Sequence, residues 1–146
     1  MKLLFISVGK ANEALLKEAV SEYTSRIEHY MPAEWKIVDG EEAIMKVIMG
    51  KEGKTSGDYT IVLDERGIEL TSPELSRRLA RALNESVKRL IFVIGGAYGL
   101  SDTVKEKADA IISLSRMTFP HQITRLILVE QVYRACTILK NEKYHH

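Results

Sequence analysis

The sequence predicts an α/β protein with a mostly parallel β-sheet flanked by helices. Short apolar runs of strand length alternate along the 146 residues with longer segments whose apolar residues recur at helical spacing. A helix between two successive strands is the connection that joins parallel strands. The unbroken apolar run at residues 90–94 is typical of a strand that is buried on both faces of such a sheet.

The first half of the chain supplies two strands and two helices. Residues 2–8 form an apolar run before a glycine and are predicted as the first strand. A helix is predicted to follow to about residue 27, with Asn12 as its N-cap. Residues 34–38 alternate between apolar and polar, which favours a short edge strand, and residues 41–50 carry a one-sided apolar stripe typical of a helix.

The second half continues the alternation. Residues 59–63 are predicted as the third strand, and Ser72 followed by Pro73 indicates a capped helix that runs to about residue 84. After the buried fourth strand, Ser101 is predicted to cap a short helix. The last elements are a strand at residues 110–114 and a long helix at residues 123–140, which completes five strands and five helices.

The last helix carries more apolar residues than one sheet contact requires. They spread around most of its circumference, at Ile123, Leu126, Ile127, Leu128, Val129, Val132, Tyr133, Ala135, Cys136, Ile138 and Leu139. A helix packed on one surface needs a single apolar stripe. The excess favours a homodimer through this helix, and the alternative is that the first helix of the same chain covers it.

Size and composition limit the class of protein. A chain of 146 residues suits one domain, here residues 1–146, and 45% hydrophobic with 28% charged residues is typical of a soluble globular protein. We expect no membrane span, because no apolar stretch is long enough. The single cysteine, Cys136, excludes an internal disulfide and favours a reducing, cytoplasmic setting. A net charge of +1 neither requires nor excludes a nucleic-acid partner, so any RNA footprint should be small, local or shared with other components.

Two loops that follow neighbouring strands predict a ligand cleft. One is the glycine-rich run at residues 95–101, and the other joins the last strand to the last helix at residues 114–122. Open α/β sheets bind ligands at such strand-to-helix loops. The glycine loop lacks the Lys-Ser/Thr of a phosphate-binding P-loop and the spacing of a dinucleotide fingerprint. The four histidines and one cysteine show no metal-site spacing, so we expect no metal.

Several polar residues near these loops are candidates for chemistry. His121 and Arg125 lie one turn apart at the start of the last helix and are placed to meet an anionic or carbonyl-rich substrate, although a histidine there more often satisfies local backbone. The tail adds Tyr144 and His145, which can stack on a base or form hydrogen bonds. Asp64 would suit a phosphate-accepting receiver domain, but Gly9 and Lys10 stand where such a domain needs an acidic pair.

The order of these motifs resembles one enzyme family. The motifs are Leu-Asp-Glu-Arg-Gly at residues 63–67, Ile-Gly-Gly-Ala-Tyr-Gly-Leu at 94–100, Leu-Ser-Arg-Met-Thr-Phe-Pro-His at 114–121, Glu-Gln-Val-Tyr-Arg-Ala at 130–135 and the Tyr-His tail. Over essentially its whole length the chain is similar to the SPOUT-class 23S rRNA pseudouridine N3-methyltransferases, the RlmH-type enzymes.

The resemblance implies a SPOUT fold with a C-terminal trefoil knot, a homodimer, and S-adenosyl-L-methionine (S-adenosylmethionine) as the cofactor. The cofactor residues that it implies are Leu63, Gly95, Leu114, Ser115, Arg116, Met117, Thr118 and Phe119. The implied substrate is a pseudouridine in the helix 69 loop of 23S rRNA, methylated at ring nitrogen 3 on assembled ribosomes.

That reaction assigns expected roles to the candidate residues. His121, Tyr144 or His145 would accept or relay the proton that leaves the ring nitrogen, and Arg125 would stabilise the negative charge on the ring. Two alternatives remain open from the sequence: an RNA-binding ribosome-assembly factor without cofactor affinity, and a SPOUT enzyme that acts on tRNA.

Overall fold

The computed structural model describes residues 1–146 and contains five strands and five helices in strict alternation. The strands are β1 (Lys2–Val8), β2 (Ala33–Val38), β3 (Asp58–Glu69), β4 (Arg89–Ile94) and β5 (Ala110–Ser113). The helices are α1 (Ala14–Glu28), α2 (Glu41–Met49), α3 (Ser72–Asn84), α4 (Asp102–Glu106) and α5 (His121–Leu139). The alternation predicted from the sequence is confirmed.

All strand pairs in the sheet are parallel, in the order β2-β1-β4-β3-β5. Strand β4 is central, and five of its six residues are buried, as its unbroken apolar sequence predicts. Strand β2 lies at one edge, which confirms the alternating pattern as an edge signal. Because every strand runs the same way, the loops that follow β3, β4 and β5 emerge at one end of the sheet.

Helices cover both faces of the sheet, and alternate side chains of each strand supply the two cores. The larger core joins α1, α3 and α5 to residues such as Phe5 and Phe92, whose rings stack 5.5 Å apart. The only tryptophan, Trp35 on β2, stacks on Phe5 and donates a hydrogen bond to Thr24 of α1. The smaller core joins α2 and α4 to the opposite face. The α/β fold class is therefore confirmed.

Helix α5 lies between α1 and α3 as well as against the sheet. Its residues Leu128, Val129, Val132, Ala135 and Cys136 are at most 1% exposed, so the same chain buries much of the apolar surface. The sequence left open the alternative that α1 covers α5, and this cover explains a large part of the apolar surface of α5. Partial exposure of Ile123 and Leu126 leaves room for a second copy, and the homodimer stays a prediction.

Strand β3 is longer than the sequence predicts. The predicted strand ends at Leu63, whereas the observed one continues to Glu69 after an irregularity between Leu63 and Ile68. The residues of this extension are mostly polar, so they do not form the apolar run by which a strand is predicted. The extension is possible because Ile68 and Glu69 resume the parallel pairing with β5.

Two predicted helix caps are wrong. Asn12 does not cap α1, whose N-cap is Glu13; the Asn12 side chain instead accepts a hydrogen bond from Arg125. Helix α3 is capped by Thr71 rather than Ser72, and Thr71 forms a reciprocal capping box with Glu74. The Ser72 hydroxyl donates to the side chain of Gln131 on α5 and so joins the two helices.

None of the five helices is both long enough and apolar enough to span a membrane. Cys136 is buried, and burial raises the pKa of its thiol to about 12. The C-terminal knot implied by the family resemblance stays a prediction.

Gly67 should be required for the pairing of β3 with β5. A Cβ atom at this position would lie 2.7 Å from the carbonyl carbon of Ile112 and 2.8 Å from the carbonyl oxygen of Ile111. We expect Gly67→Ala to force the two strands apart and to lower the free energy of unfolding by about 1–3 kcal/mol. Thermal unfolding should then show a melting temperature lower by roughly 3–10 °C.

Gly40→Ala is the matched control for this experiment. A Cβ atom at Gly40 would meet nothing within 4 Å, and the backbone there is extended, with φ of −171°. A Gly67→Ala protein as stable as the Gly40→Ala protein would contradict the steric explanation.

Candidate active site

A cleft of about 820 Å³ opens where β4 and β5 end and where β3 is irregular between Leu63 and Ile68. The loops that follow β4 and β5 enclose the cleft together with this irregular part of β3. Its lining residues are Leu63, Asp64, Glu65, Arg66, Ile94, Gly95, Gly96, Ala97, Tyr98, Gly99, Leu100, Lys105, Leu114, Ser115, Met117, Thr118, Phe119, Pro120, His121 and Thr124. The cleft therefore combines apolar and polar lining residues.

The glycine-rich loop presents backbone rather than side chains to this cleft. Gly99 donates its N–H to the carbonyl of Gly96 at 3.0 Å, and Gly99 has a positive φ of 73°. A Cβ atom on Gly95 would lie 2.8 Å from the carbonyl carbon of Gly99. The loop folds this tightly only with glycine at residue 95, and buried Leu100 anchors its end.

The loop after β5 forms the opposite wall. The Ser113 hydroxyl donates to the carbonyl of Ser115 at 2.8 Å, and the Ser115 hydroxyl accepts from the Met117 N–H at 3.0 Å. The Thr118 hydroxyl donates to Glu65 at 2.7 Å, which ties this loop to the bulge of β3. Met117 is 73% exposed although it is apolar, so the tip of the loop leaves an apolar side chain free at the rim.

Every cofactor residue expected from the sequence lines the cleft except Arg116. The Arg116 side chain turns outward, where its Nε donates to Glu69 at 2.7 Å. The side chain is 88% exposed. Its position suits contact with a large partner outside the cleft better than contact with a small molecule inside it.

Asp64 and Lys105 form an ion pair in the wall of the cleft that sequence reasoning did not identify. The Lys105 Nζ and an Asp64 carboxylate oxygen lie 2.5 Å apart, and the other Asp64 oxygen accepts the Arg66 N–H at 2.8 Å. The hydrogen bond from Lys105 is the main cause that lowers the pKa of Asp64. The cleft therefore keeps one ionised carboxylate near the rim. The signal in the sequence is an aspartate directly after an apolar run of strand length.

His121 is the first residue of α5 and lines the cleft. Its Nε2 atom is buried and has no hydrogen-bond partner, and it faces Gly9. Burial lowers the pKa of His121, and the nearby charge of Arg125 lowers it further. The imidazole is therefore neutral at neutral pH and can accept a proton.

Arg125 is fully buried and does not line the cleft. Its guanidinium donates to the Ser7 hydroxyl at 2.7 Å, to the Lys10 carbonyl and the Asn12 side chain at 2.8 Å each, and to the Val8 carbonyl at 3.4 Å. All these partners lie at the end of β1 or in the loop that follows it. This arrangement favours a positioning role over the direct substrate contact expected from the sequence.

The tail does not join His121 within one chain. Tyr144 packs edge-on against Tyr133, with ring centroids 4.7 Å apart, and its hydroxyl donates to Glu130 at 3.1 Å. Burial, Tyr23 and Glu130 all raise the pKa of Tyr144, so it is a neutral phenol. Glu130, which also pairs with Arg134, lies roughly 14 Å further along α5 than His121 at 1.5 Å per residue.

No group of three or more His, Cys, Asp or Glu side chains is arranged to hold a metal ion. The polar groups that line the cleft are Asp64, Glu65, Arg66, Lys105, His121, the loop hydroxyls and the backbone of the glycine loop.

Comparison with proteins of known sequence identifies relatives along the full chain. The protein named ribosomal RNA large subunit methyltransferase H from Cytophaga hutchinsonii is 44% identical, and the alignment covers 100% of both chains. The protein of the same name from Parabacteroides distasonis is 42% identical over 100% of this chain and 99% of its own.

Solved structures with the same fold are much more distant in sequence. A probable methylase family protein from Haemophilus influenzae Rd KW20 has a TM-score of 0.61 at 8% identity, covering 99% of this chain and 70% of its own. The SpoU methyltransferase AviRb from Streptomyces viridochromogenes, solved in complex with AdoMet, has a TM-score of 0.55 at 10% identity, covering 97% of this chain and 59% of its own. At such identities the likeness shows a shared fold.

A family model described as "Predicted SPOUT methyltransferase" matches residues 1–145. This match spans nearly the whole chain, and relatives that align with it from end to end are more than 40% identical. The resemblance seen in the sequence motifs is thereby confirmed: the chain belongs to the SPOUT methyltransferase family.

Proposed function

We propose that this protein is an rRNA methyltransferase that uses S-adenosylmethionine to methylate ring nitrogen 3 of a pseudouridine in the helix 69 loop of 23S rRNA. It acts on assembled ribosomes in the cytoplasm, as a homodimer. The observation that carries the proposal is the cleft at the ends of β4 and β5 and beside the irregular part of β3, in a chain whose full-length relatives are named for rRNA methylation. Methylation of rRNA rests on those names, and the position of the methyl group rests on the resemblance of the motifs.

The residues of the cleft fit S-adenosylmethionine in size and chemistry. A volume of about 820 Å³ lies in the range of small-molecule sites. Leu63, Leu114 and Phe119 offer apolar contacts for the adenine ring, and the tight glycine loop admits a ligand close to its backbone. The ionised carboxylate of Asp64 and the cation of Lys105 match a ligand that carries hydroxyl, ammonium and carboxylate groups.

Bound S-adenosylmethionine supplies an electrophilic methyl group, so the protein mainly has to position the two reactants. The ring nitrogen of the substrate loses a proton during the reaction, and His121 is the neutral base in the cleft that accepts it. The buried Nε2 of His121 faces Gly9, so the other ring nitrogen, Nδ1, is the atom that takes the proton from the cleft. Arg125 holds the loop beneath His121 and raises the electrostatic cost of protonating it, which keeps the base ready near neutral pH.

A second copy of the chain would supply the tail. In one chain Tyr144 and His145 lie along α5 and do not line the cleft. If α5 mediates the dimer, the tail of one copy can reach the cleft of the other and complete the set of candidate catalytic residues. The exposed apolar side chain of Ile123, at the cleft end of α5, supports this placement of the interface.

We expect the wild-type protein to release heat when titrated with S-adenosylmethionine, and Gly95→Ala to weaken this binding by roughly 10- to 100-fold. The added methyl group collides with the backbone at Gly99, and overpacking of this kind costs about 1–3 kcal/mol. Gly40→Ala, which meets no atoms, should bind normally. The absence of binding to the wild-type protein at millimolar cofactor would favour a non-enzymatic RNA-binding factor.

The substrate is tested with ribosomes from a strain that lacks the gene. Purified protein and S-adenosylmethionine should add one methyl group to the pseudouridine in the helix 69 loop, as located by mass mapping of nuclease fragments. Intact ribosomes should be better substrates than free 23S rRNA. A helix 69 pseudouridine that is still methylated in the deletion strain, or a methyl group transferred to tRNA instead, would contradict the assignment.

The pH dependence of turnover should report on His121. Burial and the charge of Arg125 lower the pKa of this residue from 6.5, so the imidazole is unprotonated at pH 7. It becomes protonated, and can no longer accept a proton, only as the pH falls below 6.5. The rate should therefore stay level from pH 7.5 to 6.5 and decrease at lower pH. His121→Gln should lower kcat by about 10²- to 10⁴-fold, the usual contribution of a general base. A His121→Gln enzyme with normal turnover would remove this residue from proton transfer.

Mixed dimers should show which copy supplies the tail. A protein truncated after Glu142 and the His121→Gln protein should each bind cofactor and turn over slowly. Random mixing of the two should restore about a quarter of wild-type activity, because half of the dimers then contain one site with both His121 and the partner's tail. An inactive mixture would show that the tail acts on its own chain, and full activity of the truncated protein alone would show that the tail is dispensable.

A further inference from the structure

A second concavity of about 470 Å³ lies between α3 and the sheet, apart from the cofactor cleft. It is lined by Tyr59, Ile61, Leu70, Glu74, Arg77, Arg78, Arg81, Ala82, Glu85 and Leu90. Tyr59, Ile61 and Leu90 come from the first half of β3 and the start of β4, and they form an apolar floor. Three arginines from α3 line it as well. We refer to this concavity as the α3 groove.

Two of the three arginines have no partner within the protein. Arg81 donates to Glu85 at 2.7 Å, and Glu74 is occupied by the capping box with Thr71. Arg77 and Arg78 take part in no hydrogen bond and no ion pair, although Glu74 is near enough in sequence to Arg78 for a helical pair. Two guanidinium groups are therefore uncommitted beside an apolar floor that contains a half-buried tyrosine ring.

The α3 groove and the cofactor cleft share one segment of chain. Residues 65 and 66 line the cleft, and Leu70 lines the groove. Arg116 lies over the same segment, with its exposed guanidinium bound to Glu69. Arg66, on the same segment, is exposed as well.

We propose that the α3 groove binds a single-stranded stretch of RNA beside the nucleotide that is methylated. One base stacks on Tyr59, and the flanking phosphates accept hydrogen bonds from Arg77 and Arg78. Aromatic rings with adjacent cations are the usual means of holding single strands, and the planar guanidinium matches a phosphate. This inference rests on the proposed function, because it takes the partner in the cleft to be RNA. It also accounts for RNA binding by a chain with a net charge of only +1, since the cations are concentrated locally.

The first test is equilibrium binding of a fluorescent single-stranded RNA oligonucleotide, measured by anisotropy at several salt concentrations. Loss of two phosphate contacts in R77Q/R78Q should make the slope of log affinity against log salt shallower by about 1.4, at about 0.7 per contact. Affinity at moderate salt should fall roughly tenfold or more. Tyr59→Leu keeps the apolar floor but removes the ring, and it should weaken binding by roughly 5- to 100-fold.

The second test is turnover with ribosomes as substrate. R77Q/R78Q should raise KM for ribosomes and leave kcat and the affinity for S-adenosylmethionine unchanged, because neither arginine lines the cofactor cleft. The matched control is K46Q/K51Q, which removes the same charge near α2 on the opposite face of the sheet. The control protein should keep the wild-type salt slope and the wild-type KM.

An unchanged salt slope in R77Q/R78Q would overturn the proposal. A change in the oligomeric state of R77Q/R78Q, measured by sedimentation, would also overturn it, because the groove would then be an interface between copies of the chain. If the wild-type protein transfers no methyl group to any RNA, the proposed function fails, and the anisotropy measurement still decides whether the groove binds single strands.

Discussion

A buried guanidinium without a carboxylate partner holds the functional end of this protein together. Arg125 extends from the second turn of α5 and donates hydrogen bonds to the end of β1 and the loop after it. A buried charge is costly unless its donors are satisfied, and here two carbonyls, a hydroxyl and an amide oxygen satisfy them. A lysine has neither the planar geometry nor the number of donors to replace it.

The consequences of this contact extend to the cleft. The loop after β1 brings Gly9 against His121, and the loop's Glu13 N–H also binds Gln122 of α5 at 2.8 Å. The start of α5 is thereby fixed to the sheet, and so is the end of the loop that forms one wall of the cleft. The rest of that wall is held by hydrogen bonds that Thr118 donates to Glu65 and Arg116 donates to Glu69. Hydrogen bonds to distant parts of the chain therefore restrain both ends of a loop that contains no regular structure.

The sequence predicts the order of elements and the location of the cleft because both depend on local patterns. Apolar runs mark the cores of β1 and β4, and the position of a loop after a parallel strand places it at the ligand end of the sheet. The extension of β3 was missed because its residues are polar, and it is stabilised by pairing with β5, which lies far along the chain. The burial of Arg125 and the pairing of Asp64 with Lys105 depend equally on distant partners, so no local pattern reveals them.

The strand order also determines when this chain can fold during its own synthesis. The central strand, β4, is the fourth to be made, and it separates β1 from β3. Until it emerges, β1 and β2 can pair only with each other, and the larger core still lacks the side chains of α5. Such contacts between distant segments slow folding. The nascent polypeptide therefore exposes apolar strands until translation is nearly finished, and this is the stage at which a chaperone would protect it best.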